Sequence, residues 1–145
     1  MTMTARKAFD KGTAAFNAHD IDGFGELFAD DVVLQAPGGV TGEGKTACLE
    51  FYRSWLEAFP DAHVEIRGLH VTEGFVVEEG TFTGTHEGVF RNEAGDVPPT
   101  GRSVTADYIQ VLGFRDGQNV SFHLMYDRLH LLEQLGLIPA AAQAG

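Results

Sequence analysis

Basic residues are scarce in this chain. Ten Lys plus Arg stand against 21 Asp plus Glu, a formal net charge of −11. An acidic surface with no basic cluster repels phosphate backbones, so neither nucleic acid nor an anionic membrane is an expected partner. Cysteine is scarcer still: Cys48 stands alone, which excludes an intramolecular disulfide and a thiolate metal cluster. Set among apolar residues of a predicted helix, it reads as a small packing residue. No apolar run approaches the roughly 20 residues that span a bilayer. No uninterrupted apolar stretch follows the opening residues, so no secretory leader is expected and the protein is placed in the cytoplasm. The nucleophile elbow G-x-S-x-G, the phosphate loop G-x-x-x-x-G-K-[ST] and the dinucleotide fingerprint G-x-G-x-x-G are all missing. His19, His63, His70 and His130 are scattered without an H-E-x-x-H spacing, so no metal is expected.

What is present suits one domain over residues 1–145 with a core at about 5–137, since 43% of the chain is apolar. Ala5, Ala8, Phe9, Gly12, Ala15 and Phe16 recur at helical spacing and predict an amphipathic helix ending near His19. Asp20 caps a second short helix carrying Ile21, Phe24, Leu27 and Phe28 on one face. A strand is expected over Val32–Ala36. A third helix carries Cys48, Phe51, Tyr52, Trp55, Leu56 and Phe59, with Pro60 as its stop. Strands follow at His63–Val71, Phe75–Thr85, Ser103–Phe114 and Asn119–Tyr126, the last two joined by the turn Arg115-Asp116-Gly117-Gln118. Asn92 to Gly101 reads as a long polar loop, Arg128 to Gly136 as a short final helix, and Pro139 to Gly145 as a frayed end. The order predicts an α+β domain, with a curved antiparallel or mixed sheet roofed by three N-terminal helices over a pocket.

Asp127 is the foremost candidate for chemistry, standing where the last strand gives way to the last helix. Alternation puts Ser121, His123, Met125 and Asp127 on one face and Phe122, Leu124 and Tyr126 on the other. If Asp127 faces the pocket, so does His123, about 13 Å away along the strand. Otherwise Asp127 is a helix N-cap and His123 an exposed sheet residue. The hairpin brings Asp127 opposite the Ala106–Tyr108 stretch. There Asp107 is either a close carboxylate partner that raises a pKa or an outward-facing residue. His86, flanked by small residues, either approaches a ligand or lies on the surface. Tyr52, Trp55, Tyr108 and Tyr126 either line a site for a flat ring or fill the core. The chemistry most compatible with these groups is proton transfer on an enclosed carbonyl compound.

Several stretches carry a family likeness: Glu79-Gly80-Thr81-Phe82-Thr83-Gly84-Thr85-His86, the turn Pro98-Pro99-Thr100-Gly101-Arg102, and Tyr126-Asp127-Arg128 with Leu132-Glu133-Gln134-Leu135-Gly136. With the helix-helix-strand-helix start, they resemble the SnoaL-like polyketide cyclases of the nuclear transport factor 2-like superfamily. The resemblance implies an α+β cone with an apolar pocket, usually a homodimer, without cofactor. It implies an acid/base aspartate late in the final strand, matched by Asp127, which catalyses intramolecular aldol ring closure. An assisting histidine is also implied, with His123, His86 and the Asp107–Gln110 stretch competing for its place. Asp127, His123 and His86 are therefore the catalytic candidates, and Asp107, Tyr108, Trp55, Tyr52 and Met125 the substrate-binding ones. The expected ligand is a small apolar or aromatic carbonyl metabolite. The same fold also carries ketosteroid isomerases, which Asp127, Tyr108 and Asp107 could imitate, as well as epoxide hydrolases and non-catalytic binding modules.

Overall fold

Alternation of buried and exposed residues along four long segments builds the sheet that positions everything else. The computed structural model describes residues 3–92 and 95–139. Its strands are β1 (Phe28–Ala36), β2 (Val40–Glu43), β3 (His63–Val71), β4 (Phe75–Thr85), β5 (Phe90–Asn92), β6 (Gly95–Val97), β7 (Ser103–Arg115) and β8 (Gln118–Tyr126). Its helices are α1 (Ala5–Asn17), α2 (Ile21–Gly25), α3 (Lys45–Ala58) and α4 (Arg128–Gln134). Six strands form one sheet in the order β2-β1-β8-β7-β4-β3, while β5 and β6 pair apart. The β1–β8 pair is parallel and the other neighbours antiparallel, so the sheet is mixed.

Local chemistry explains the boundaries. The Thr4 hydroxyl accepts the Lys7 N–H at 3.2 Å and opens α1; the Asp20 carboxylate accepts from Gly23 N–H at 2.9 Å and opens α2. Helix α3 buries Cys48, Tyr52, Trp55 and Ala58 on one stripe and stops before Pro60. Asp116 and Gly117 both take positive φ, 53° and 76°, the geometry that a two-residue hairpin between twisted strands requires. Along β4, β7 and β8 the inward set is Val76, Glu78, Gly80 and Phe82, then Ala106, Tyr108, Gln110 and Leu112, then Phe122, Leu124 and Tyr126. Helices α1 to α3 pack their apolar stripes over this face, and the core lies between.

Three expectations change. Helix α2 ends at Gly25, so Leu27 and Phe28 lie outside it, and strand β1 begins at Phe28, four residues earlier than Val32, with a register shift against β8 between Phe28 and Val33. Asp30 and Asp31 point to solvent there and mask the alternation. The short strands β2, β5 and β6 were not legible, being too brief for a period to show; β5 and β6 make a hairpin where a plain loop was expected. Glu93, Ala94 and the end segment from Ala140 to Gly145 lie outside the described residues, as does the fraying expected of that end. Among the described residues no helix is long and apolar enough to cross a membrane.

Candidate functional site

Between the helices and the concave face of the sheet lies a cavity of about 100 Å³, walled mostly by Phe, Leu and aromatic side chains. Among the described residues one carboxylate lines it. Glu78 is on β4 directly across the ladder from Gln110 on β7 and is 4% exposed. Its Oε1 accepts from Gln110 Nε2 at 2.7 Å, and its Oε2 accepts from the Tyr108 hydroxyl at 3.0 Å. The Tyr52 hydroxyl, reaching down from α3, donates to Gln110 Oε1 at 2.6 Å. Every donor in this chain points toward Glu78, so the carboxylate is its terminal acceptor.

The reach of Tyr108 depends on a missing side chain. Tyr108 is paired with Gly80, not with Glu78, and its ring must cross β4 diagonally. A Cβ on Gly80 would lie 2.5 Å from the Tyr108 hydroxyl oxygen, so only glycine leaves that path open.

Burial governs the proton affinities. It pushes the Glu78 carboxyl above its ordinary range, and the hydrogen bonds from Gln110 and Tyr108 only partly oppose it. Tyr52 and Tyr108 are also raised, first by burial and then by the Glu78 charge, so both stay protonated as donors. Burial pushes Tyr126 up to about 12, with the Arg128 charge acting against it. Asn119 on β8 adds a buried amide to the cavity wall.

The candidates from sequence divide sharply. Tyr52, Trp55 and Tyr108, with Tyr126, meet at the cavity. Asp127, His123, Met125 and Asp107 do not, because the face that bears them is the outer one. Phe122, Leu124 and Tyr126 take the inward phase of β8, leaving His123 and Met125 exposed. Asp127 lies just past the strand, exposed, and its carboxylate accepts from the His130 N–H at 3.0 Å as the cap of α4. Asp107 faces outward and accepts from the Thr81 hydroxyl at 2.8 Å, and Thr81 in turn accepts from Arg67.

His86 is neither on the surface nor at the cavity. It is wholly buried, with its ring against Phe59 and Phe90. Nδ1 accepts from the Thr100 N–H at 3.2 Å and meets the Thr100 hydroxyl at 2.9 Å, which puts the ring proton on Nε2. Nε2 has no hydrogen-bond partner among the described residues. Burial holds the pKa of His86 below its usual value.

Glu78 was missed, and Gln110 entered only as the end of the Asp107–Gln110 stretch. The available signal was phase: Glu78 occupies the inward position of Val76-x-Glu78-x-Gly80-x-Phe82, where the neighbouring Glu79 disguises it as half of a solvated pair.

A curved sheet roofed by helices over an apolar cavity with a small polar cluster defines the nuclear transport factor 2-like, or ketosteroid isomerase-like, fold, seen for example in a protein of Catenulispora acidiphila (TM-score 0.74, 18% identity, 97% of this chain and 100% of that one). Within it, residues 9–122 match the SnoaL-like domain, and the chain belongs to that family. AclR from Streptomyces galilaeus, provisionally assigned as a hydroxylase, is 25% identical with a TM-score of 0.80 over 96% of this chain and 85% of its own. IdmH from Streptomyces antibioticus, provisionally assigned as a polyketide cyclase, is 25% identical with a TM-score of 0.75 over 92% and 99%. TerC, crystallised with polyporic acid, is 20% identical with a TM-score of 0.70 over 91% and 98%. No curated protein sequence matches this one significantly.

Proposed function

We propose that this SnoaL-like chain is a cytoplasmic, cofactor-independent acid/base enzyme that acts on a bulky apolar ketone, with Glu78 as the general base. Glu78 takes a proton from the carbon next to the carbonyl. The resulting enolate oxygen receives a hydrogen bond from Tyr108, which is released from Glu78 once that carboxylate is protonated. In ring closure the enolate carbon then attacks a second carbonyl of the same molecule, and Glu78 returns its proton to the new alkoxide. The assignment of IdmH to the polyketide cyclases favours that outcome over simple isomerisation. The ligand seen with TerC supports a small molecule in the cavity. The observation that carries the reading is a carboxylate 4% exposed among apolar walls with its pKa raised by burial, which makes it a stronger base than a solvated one.

The test follows deuterium uptake by 2-tetralone, an apolar bicyclic ketone, by proton NMR in deuterium oxide. Glu78→Gln slows enzyme-dependent exchange by about 100-fold or more, within the usual range of about 10²–10⁴ for general acid/base catalysis. Asp127→Asn stays within about twofold of the wild type on the same grounds. Equal exchange in Glu78→Gln and the wild type would overturn the assignment. A second reading, a binding module that converts nothing, has one observation in its favour: both Glu78 oxygens already accept hydrogen bonds from the protein. It predicts ligand affinity without exchange in any variant.

The assembly proposed for it is a homodimer through the outer sheet face. Val33, Ile109 and Met125, on the adjoining strands β1, β7 and β8, are 44%, 46% and 55% exposed, and Ile109 pairs directly with Met125. Light scattering gives twice the chain mass for the wild type and the single chain mass for the Ile109→Lys, Met125→Lys double variant.

A further inference from the structure

The cavity beside Glu78 is small for a ligand site. Its volume of about 100 Å³ falls below the roughly 300–1,000 Å³ of typical small-molecule pockets. A larger space adjoins it. An open groove of about 530 Å³ runs between α3, the β1–β2 turn and the start of α4, and Trp55, Tyr126 and Leu131 wall both spaces.

Not every charge that lines the groove is paired. Glu50, Glu57, Arg91 and Arg128 line it. Glu50 pairs with Arg53 at 2.6 Å, and Arg91 pairs with Glu57 at 3.6 Å and Asp96 at 3.5 Å. Among the described residues Arg128 forms no ion pair, and the neighbouring Asp127 is engaged as the cap of α4. The Arg128 side chain lies over the turn at Gly38, where φ is +88° and a Cβ would come within 3.1 Å of Nε and 3.3 Å of Cζ. Its charge also reaches the Tyr126 hydroxyl, whose rise in pKa it opposes. Arg128 and Tyr126, two residues apart, both line the groove, and Tyr126 also walls the cavity, on a chain whose formal net charge is −11.

We propose that Arg128 and the groove form an anion subsite, and that the ligand is an elongated amphipathic molecule whose apolar ring end enters toward Glu78 while its carboxylate or equivalent oxyanion rests on Arg128. The orientation of the ligand rests on the Glu78 reading; the anion subsite does not. A guanidinium suits this role because its planar donors can bind both oxygens of a carboxylate.

Two probes with one ring skeleton test it. 1-Anilinonaphthalene-8-sulfonate is anionic, and N-phenyl-1-naphthylamine is its neutral counterpart. Trp55 is the chain's single tryptophan and sits at the junction, so energy transfer from it reports binding there. Arg128→Gln weakens the anionic probe about tenfold, the scale of a hydrogen bond to a charged group, and leaves the neutral probe within about twofold. Arg128→Lys restores part of the loss. Added salt weakens the anionic probe in the wild type more than in Arg128→Gln. An equal response of both probes, or none, overturns the proposal. The readout is binding, so a failed exchange assay at Glu78 leaves it standing, and uniform probe responses sink it even where exchange depends on Glu78.

Discussion

The two faces of the β4-β7-β8 sheet carry similar residue types under opposite conditions. Asp107 and His123 stand in solvent on the outer face, with Asp127 exposed at the strand end, while Glu78 is closed in on the inner one. Water solvates a carboxylate on the outer face directly. On the inner face the missing water raises the proton affinity of Glu78, and neighbouring donors must replace the lost solvation. Chemical identity is therefore a poor guide to function on a strand; the parity of the position decides what a carboxylate can do.

The strongest way to break the contrast is to put a methyl group where the inner face has none. Gly80→Ala places a Cβ against the Tyr108 ring and drives it off Glu78. The expected result is a loss of about 1–3 kcal/mol in urea unfolding, typical of overpacking, with slower ketone exchange. Thr83→Ala, three positions along β4 and exposed on the outer face, costs under about 0.5 kcal/mol and leaves exchange alone. Similar losses at the two positions would show that Gly80 has no special part in placing Tyr108.

Acidity sharpens the contrast next, through two buried groups of opposite sign. Glu78 has a raised folded pKa, so its stabilising contribution is present below the unfolded value and is lost as pH rises through the folded one. His86 has a lowered folded pKa. Its contribution is present above about 6.5, the unfolded value, and is lost as pH falls through the folded one. Protonation of Nδ1 also breaks the bond from the Thr100 N–H. Urea midpoints measured between pH 7.5 and 4 should show His86→Phe losing less stability on acidification than the wild type. Glu78→Gln should lose more, because it lacks the group that gains on acidification. Parallel curves for all three proteins would remove both groups from the account.

These differences also mark where the sequence was legible. The stripe of α3, the cap at Asp20 and the Asp116-Gly117 turn depend on residues a few positions apart, and they stand as read. The set of residues sharing each face of β8 was equally plain. Alternation alone leaves open which set faces inward; Phe122 and Leu124 against His123 and Met125 held the answer, while the family match at Asp127 points to the opposite phase. The Glu78 cluster joins residues 52, 78, 108 and 110 from a helix and two strands, and no local period records such a meeting. His86 was misjudged for the same reason: the loop that buries it arrives with Thr100, Gly101 and Arg102.

The smallest expected effect returns to Asp127. Its carboxylate accepts the His130 N–H at 3.0 Å, one of the donors left open at the start of α4. Replacing an N-cap aspartate by alanine typically costs about 1 kcal/mol, while asparagine keeps a side-chain acceptor and costs less. Asp127→Ala should therefore lower the urea midpoint modestly, Asp127→Asn hardly at all, and neither should change the rate of ketone exchange in the folded protein. Helix α4 supplies Leu131, 1% exposed, to the core and to the walls of both the cavity and the groove, so fraying of its first turn would appear as weaker retention of the neutral naphthylamine probe before any loss of fold. A fall in exchange with both midpoint and probe affinity unchanged would return Asp127 to the chemistry, and the outer position of its carboxylate would then have to be a resting state.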